Sequence, residues 1–175
     1  MGRFSLQKIK LPDPLHIGVF TGTPANVTAE ATSAAGARVT FALPKATDVA
    51  DNNVSVSCAP ASGSTFSIGT TTVVCVGADN AGNQASTSFR VTVRDTTNPT
   101  ITIAEPGGSY ALNAAVTVSF ACADTGSGVA SCTGTRANGS ALNTSTAGTY
   151  TFTVTAVDAA GNSASKTVSY TVKKK

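Results

Sequence analysis

Hydrophobic and polar residues alternate along most of this chain with a period of two, which is typical of β-strands that bury one face. Threonine and serine occupy many of the positions between the apolar ones. Turn-forming residues separate the segments, and no window has a helical period. The pattern predicts an all-β protein. Its clearest apolar positions are Val39, Phe41 and Leu43; Phe89, Val91 and Val93; Val116, Val118, Phe120 and Cys122; Tyr150, Phe152, Val154 and Ala156; and Val168, Tyr170 and Val172.

A five-residue motif occurs twice, and a strand pattern follows each copy. The copies are Asp79-Asn80-Ala81-Gly82-Asn83 and Asp158-Ala159-Ala160-Gly161-Asn162, so equivalent residues lie 79 positions apart. This period is too long for a solenoid repeat and suits a small β-sandwich domain. The repeat therefore predicts two tandem β-sandwiches.

The predicted domain boundary lies in the turn-forming segment Asp95-Thr96-Thr97-Asn98-Pro99, between two strand patterns. We place the first module at residues 15–95 and the second at residues 96–175. Residues 1–14 belong to neither module and form a short N-terminal arm or leader.

Composition and charge argue against a nucleic-acid partner. Charged residues make up 12% of the chain, against about a quarter in an average domain. The net charge of +3 comes from lysine and arginine near the two termini, and the basic residues form no continuous stripe. We therefore predict no nucleic-acid partner.

The first residues lack the apolar run and cleavage site of a signal peptide, and no segment has the about 20 apolar residues of a membrane span. We expect no membrane span. We also expect a location on a virion surface or outside a cell that is reached without a signal peptide in this chain.

The four cysteines divide evenly between the modules. Cys58 and Cys75 lie in two strand patterns joined by a polar loop, and Cys122 and Cys132 flank a tight turn. We predict one disulfide in each module. Reduced thiols are the alternative. A zinc site is disfavoured because no Cys-x-x-Cys pair is present and His16 is the only histidine.

The repeated motif has two interpretations. Its aspartate and asparagine oxygens could bind Ca²⁺, but Ca²⁺ takes about 6–8 oxygens and each copy offers two side chains. Turn formation, with glycine at positive φ, is the favoured interpretation. We predict no metal, no cofactor and no catalytic residue, since the lone His16 has no evident triad partner and no carboxylate pair stands out.

Residues 24–97 resemble a hyalin repeat (HYR) domain, through Ala46-Thr47-Asp48, Cys58, Gly69-Thr70-Thr71-Thr72-Val73-Val74-Cys75 and Asp95-Thr96-Thr97. The second module, with its segments 124–134 and 158–162, is similar to bacterial Ig-like repeats. These resemblances imply immunoglobulin-like sandwiches, a role in adhesion or display on a surface, and no catalytic residues.

The N-terminal arm supplies the functional hypothesis. Its apolar residues could add to the sheet edge of another subunit, whereas the alternative is a disordered leader or residues added for expression. We predict a non-enzymatic bacteriophage virion subunit that decorates the capsid or tail. The alternative is a spacer or adhesion fragment of a secreted bacterial surface protein. The predicted partners are protein, bound through the arm, and host-surface glycans. The arm residues are Ile9, Leu11, Leu15, Ile17, Val19 and Phe20.

Overall fold

The computed structural model describes residues 18–48 and 54–174. The described residues form fourteen β-strands and no α-helix. The predicted all-β class with tandem β-sandwiches is therefore confirmed. The strands are β1 (Val19–Thr21), β2 (Val27–Glu30), β3 (Ala37–Arg38), β4 (Lys45–Thr47), β5 (Ser55–Ala59), β6 (Thr65–Phe66), β7 (Gly69–Ala78), β8 (Gln84–Arg94), β9 (Thr100–Glu105), β10 (Gly108–Ala111), β11 (Ser119–Ala123), β12 (Val129–Gly134), β13 (Gly148–Asp158) and β14 (Ser163–Lys173).

Strands β1–β8 make up the first sandwich. Its main sheet has the order β2-β8-β7-β5, and two-stranded sheets pair β3 with β6 and β1 with β4. The period-two pattern appears directly in β8, where Phe89, Val91 and Val93 are buried and Arg90 and Arg94 are exposed. Other buried apolar side chains of this sandwich are Ala31, Ala37, Val39, Phe66, Val73 and Cys75.

Strands β9–β14 make up the second sandwich. One sheet has the order β10-β14-β13-β12, and the other pairs β11 with β9. The long hairpin β13–β14 pairs from Gly148 with Val172 to Val157 with Ser163, and β10 joins β14 in parallel. The core between these strands contains Val118, Phe120, Leu142, Phe152, Val154, Tyr170 and Val172.

The predicted strand over Val39, Phe41 and Leu43 is wrong. Residues 39–44 are not in a strand, and Leu43 is 52% exposed. The backbone of Val39 forms hydrogen bonds with Gly63 and Ser64 of the following loop. The Ser62 hydroxyl accepts a hydrogen bond from the Phe41 amide and donates one to the Phe41 carbonyl, as a partner strand would do. The segment is extended, but a loop with a side-chain bridge replaces the partner strand.

The predicted strand over residues 116–122 begins later than expected. Its first part precedes β11, and Val116 and Val118 bond instead to the loop that contains Ser140 and Leu142. The apolar alternation nevertheless identifies the buried side chains, since Val118 and Phe120 are both buried. The pattern therefore gives the buried face correctly and the strand start incorrectly.

By compactness the chain divides into two units. Within the described residues, the first unit has residues 18–27, 39–48, 54–64 and 71–91, and the second has residues 28–38, 65–70 and 92–174. These units interleave along the chain, so the predicted domain limits at residues 14–15 and 95–96 stay predictions.

Candidate functional site

Two disulfides are present, as the cysteine spacing predicts. Cys58 and Cys75 are paired positions of the neighbouring strands β5 and β7, so this bond reinforces one sheet. Cys122 in β11 and Cys132 in β12 belong to different sheets, so the second bond links the two sheets of the second sandwich. No described cysteine is free, and none is available as a metal ligand.

Both copies of the repeated motif form the same turn. Oδ1 of Asp79 accepts the Asn83 amide at 2.8 Å, and Oδ2 accepts the Asn83 side-chain amide at 2.8 Å. Asp158 repeats these bonds with Asn162 at 2.8 and 2.7 Å. The glycines before the asparagines have φ of 92° and 95°. Turn formation, the favoured interpretation of the motif, is confirmed.

The Asp79 turn makes stability depend on pH. Desolvation raises the pKa of Asp79, but hydrogen bonds from Asn83, Ala81 and Gly82 outweigh it and hold the pKa below its ordinary 3.8. A depressed folded-state pKa contributes stability above the unfolded value, and this stability is lost as pH falls through the folded value.

We expect Asp79→Asn to flatten the acid limb of the stability profile below about pH 4. Urea unfolding across this pH range, followed by circular dichroism, measures the profile. Gln84→Ala, an exposed change just after the turn, should keep the wild-type profile. An unchanged acid limb in Asp79→Asn would contradict the assignment.

The second turn also belongs to a cluster of three carboxylates. Asp95 follows β8, Asp124 follows β11, and Asp158 ends β13, and one carboxylate oxygen from each lies within 4.8 Å of the others. Asp95 and Asp158 are only 6% and 2% exposed. All three belong to the second compact unit. We refer to Asp95, Asp124 and Asp158 as the carboxylate cluster.

The loop at residues 124–128 contacts the Asp95 carboxylate. The Ser127 amide donates to Asp95 Oδ2 at 2.6 Å, and the Gly128 amide donates back to Asp124 Oδ2 at 2.8 Å. A Cβ atom at Gly126 would overlap the Asp95 carboxylate, so only glycine fits there. Hydrogen bonds from the Ser127 hydroxyl, the Ser127 amide and the Thr97 amide lower the pKa of Asp95, which keeps this buried carboxyl charged.

The sequence pattern alone does not bring these three residues together. The repeated motif groups Asp158 with Asn162, Asp95 lies in the predicted domain boundary, and nothing in the pattern pairs Asp124 with another acid. The glycines at positions 126 and 128 indicate a tight loop after Asp124, but not which carboxylate the loop contacts.

A polar groove lies on the second sandwich. It has a volume of about 460 Å³, and its lining includes Arg136, Asn143, Tyr150 and Tyr170. The two tyrosine rings stack with centroids 5.3 Å apart. The predicted glycan partner stays a prediction.

The arm residues are only partly described. Ile9, Leu11, Leu15 and Ile17 lie outside the described residues. Val19 and Phe20 are in β1, opposite Thr47 and Ala46 of β4.

Exposed apolar side chains lie in β1 and just before its partner strand β4. Val19 is 60% exposed, and Leu43 is 52% exposed at the rim of an open cleft that also contacts Val54 and Val56. We refer to Val19, Leu43, Val54 and Val56 as the apolar patch. These residues belong to the first compact unit.

The strands and disulfides define a class: all-β sandwich modules, each with one cross-link. A family model described as the HYR domain matches residues 21–93. The HYR resemblance is thereby confirmed for this segment, which is less than half of the chain. The bacterial Ig-like identity of the second module stays a prediction.

Solved structures with a similar fold have low sequence identity. One is titled PcdhgB3 EC1-4, with 16% identity, 90% of this chain and 49% of that chain covered, and a TM-score of 0.42. The fibronectin(III)-like modules of Clostridium thermocellum CbhA have 15% identity, 89% and 94% coverage, and a TM-score of 0.37. Human Protocadherin-24 EC1-2 has 17% identity, 88% and 97% coverage, and a TM-score of 0.39.

This chain spans about half the length of the first of these structures. The comparison with curated proteins finds no match. Within residues 18–48 and 54–174, no helix combines the length and apolar character that crossing a membrane requires.

Proposed function

We propose that this chain is a non-enzymatic, extracellular display protein that attaches to a larger protein assembly through residues 1–20 and holds its β-sandwich modules outward. The assembly we propose is a bacteriophage virion, with the chain decorating the capsid or tail. The observation that carries the proposal is the apolar patch, which includes Val19 of the predicted arm residues.

The exposure of this patch supports attachment. Val19 and Leu43 are large apolar side chains that are more than half exposed, and burying such a patch against a partner is favourable by about 25 cal/mol per Å². Strand β1 has three residues and pairs only with β4 among the described strands. Its second edge can therefore accept a strand from another subunit.

The cross-links support a location outside the cytosol. Disulfides persist in oxidising surroundings, and small extracellular domains use them to supplement a limited core. The same observation favours the second candidate, a spacer or adhesion segment of a secreted bacterial surface protein. In that case the modules would act as passive spacers, and the apolar patch would contact a neighbouring domain.

Two aspartate substitutions in the full chain test attachment. We expect Val19→Asp and Leu43→Asp to weaken self-association or particle binding about tenfold or more, because each places a charge in a buried contact. Sedimentation velocity and co-sedimentation with purified virions measure the two quantities. The matched control is Val129→Asp, since Val129 is also an exposed valine, at 38%, but lies in the second sandwich.

Unchanged assembly and particle binding in both variants would refute attachment through this surface. Labelling with antibodies against the chain separates the two candidate functions. Labelled virions support the decoration role, whereas label on the bacterial envelope and none on virions supports the spacer role.

A further inference from the structure

We propose that Asp95, Asp124 and Asp158 form a Ca²⁺ site in the second compact unit. This site is independent of the proposed attachment, and it differs from the expectation of no metal that the sequence supports. The proposal depends on the geometry of the carboxylate cluster and on one buried oxygen that has no hydrogen-bond partner in the described part of the chain.

The unpartnered oxygen is Oδ1 of Asp124. This atom has less than 1 Å² of exposed surface and no hydrogen-bond partner among residues 18–48 and 54–174, whereas Oδ2 of the same carboxylate accepts the Gly128 amide. Burying a carboxylate oxygen without a donor is costly. A cation bound between the three carboxylates would compensate this oxygen.

The charge of the cluster gives a second reason. Amide groups donate hydrogen bonds to the carboxylates of both Asp95 and Asp158. None of the three acids has an ion pair with a lysine or arginine among the described residues. Three carboxylates so close together, two of them in buried residues, repel one another when ionised, and a bound cation would offset this repulsion.

The bonds already present leave room for a metal. A carboxylate has about four lone-pair sites, and each oxygen of Asp158 accepts one described hydrogen bond. Asn162 fixes Asp158 on one side, and its side-chain amide also donates to the Asp95 backbone oxygen at 3.1 Å. The carboxylates are thus held in place by groups that do not use all of their acceptor sites.

The oxygen donors favour Ca²⁺, and their spacing admits this ion. All three ligands are hard oxygens, which excludes a preference for softer metals. Each oxygen lies about 2.3–2.6 Å from a bound Ca²⁺, so two ligands on one ion are separated by up to about 5 Å, whereas Mg²⁺ requires about 2.0–2.1 Å. The three oxygens all lie within 4.8 Å of one another, which is inside this limit for Ca²⁺. Backbone oxygens and water would complete its shell.

The first copy of the motif shows what is specific to the second. Asp79 makes the same turn as Asp158, but no other described acid joins it in a cluster. The motif alone therefore builds a turn, and the addition of Asp95 and Asp124 builds the site. Asp79→Asn is therefore a matched control for Ca²⁺ binding, because it changes the same kind of turn without changing the carboxylate cluster.

Calcium titration of the full chain tests the site. We expect one Ca²⁺ to bind with a dissociation constant of about 10⁻⁴–10⁻³ M, in the range of extracellular modules. At about 10 mM Ca²⁺, the melting temperature of the second unit should rise by about 5 °C or more over its value in EGTA. Isothermal titration calorimetry measures binding, and tyrosine fluorescence follows melting, since all three tyrosines are at positions 110, 150 and 170.

Asp124→Asn distinguishes a role in Ca²⁺ binding from a role in holding the loop in place. The side-chain oxygen of asparagine can still accept the hydrogen bond from the Gly128 amide. We expect it to weaken Ca²⁺ binding about tenfold or more and, in EGTA, to melt no lower than wild type, since it removes one of three repelling charges. Asp79→Asn should bind Ca²⁺ as wild type does. The proposal is overturned if about 10 mM Ca²⁺ leaves the wild-type melting temperature unchanged, if Asp124→Asn binds Ca²⁺ normally, or if Mg²⁺ binds equally well.

Discussion

Replacing Phe152 with alanine is expected to lower the free energy of unfolding of the second sandwich by about 3–5 kcal/mol. Phe152 lies in the middle of β13 and is 1% exposed. Its ring is 5.9 Å from that of Phe120, and a Cβ atom at Gly134 would touch it. Removing the ring leaves a cavity between the two sheets that these neighbours cannot fill, because the disulfide from Cys122 to Cys132 holds the sheets together.

Denaturant unfolding followed by tyrosine fluorescence measures this loss. The chain has no tryptophan, so the signal comes from the three tyrosines of the second sandwich. Thr151→Ala is the matched control, since the adjacent residue is exposed and faces away from the core. It should change stability by less than about 0.5 kcal/mol. A Phe152→Ala variant as stable as this control would show that the core is not where the structure places it.

The sequence predicts the buried faces of the strands well. Alternation identifies Phe89, Val91 and Val93, and likewise Phe152 and Val154, because one face of each strand is apolar and the other is polar. Alternation does not say what an extended segment pairs with. Val39 and Phe41 have the pattern of a strand, but the Ser62 hydroxyl and a loop occupy the position of the partner strand.

The turn and the disulfides are also predictable, because their partners lie close together in sequence. Asp158 and Asn162 are four residues apart, and Cys122 and Cys132 are ten apart. The carboxylate cluster is different. Its three acids come from separate connections, and their meeting depends on how the loop around Gly126 closes over Asp95. No local pattern encodes that approach, so the cluster emerges only from the folded chain.

Gly36→Ala is expected to destabilise the protein by about 2–6 kcal/mol, through two effects that each cost about 1–3 kcal/mol. Gly36 has φ of 110°, a conformation that alanine rarely adopts. A Cβ atom there would also overlap the backbone carbonyl of Phe66. Phe66 is 2% exposed and pairs with Ala37 in the β3–β6 sheet, so the carbonyl cannot move without breaking that pair.

Gly69→Ala separates the two effects. Gly69 has a similar φ of 120°, but a Cβ atom there would meet nothing within 4 Å. Thermal or urea unfolding, with hydrogen exchange at residues 28–38 and 65–70, should show a loss of about 1–3 kcal/mol in Gly69→Ala and a clearly larger loss in Gly36→Ala. Because both glycines lie within the segment that matches the HYR model, the comparison shows whether Gly36 is required there for space as well as for backbone conformation. Equal losses in the two variants would mean that β3 and β6 do not approach each other as described.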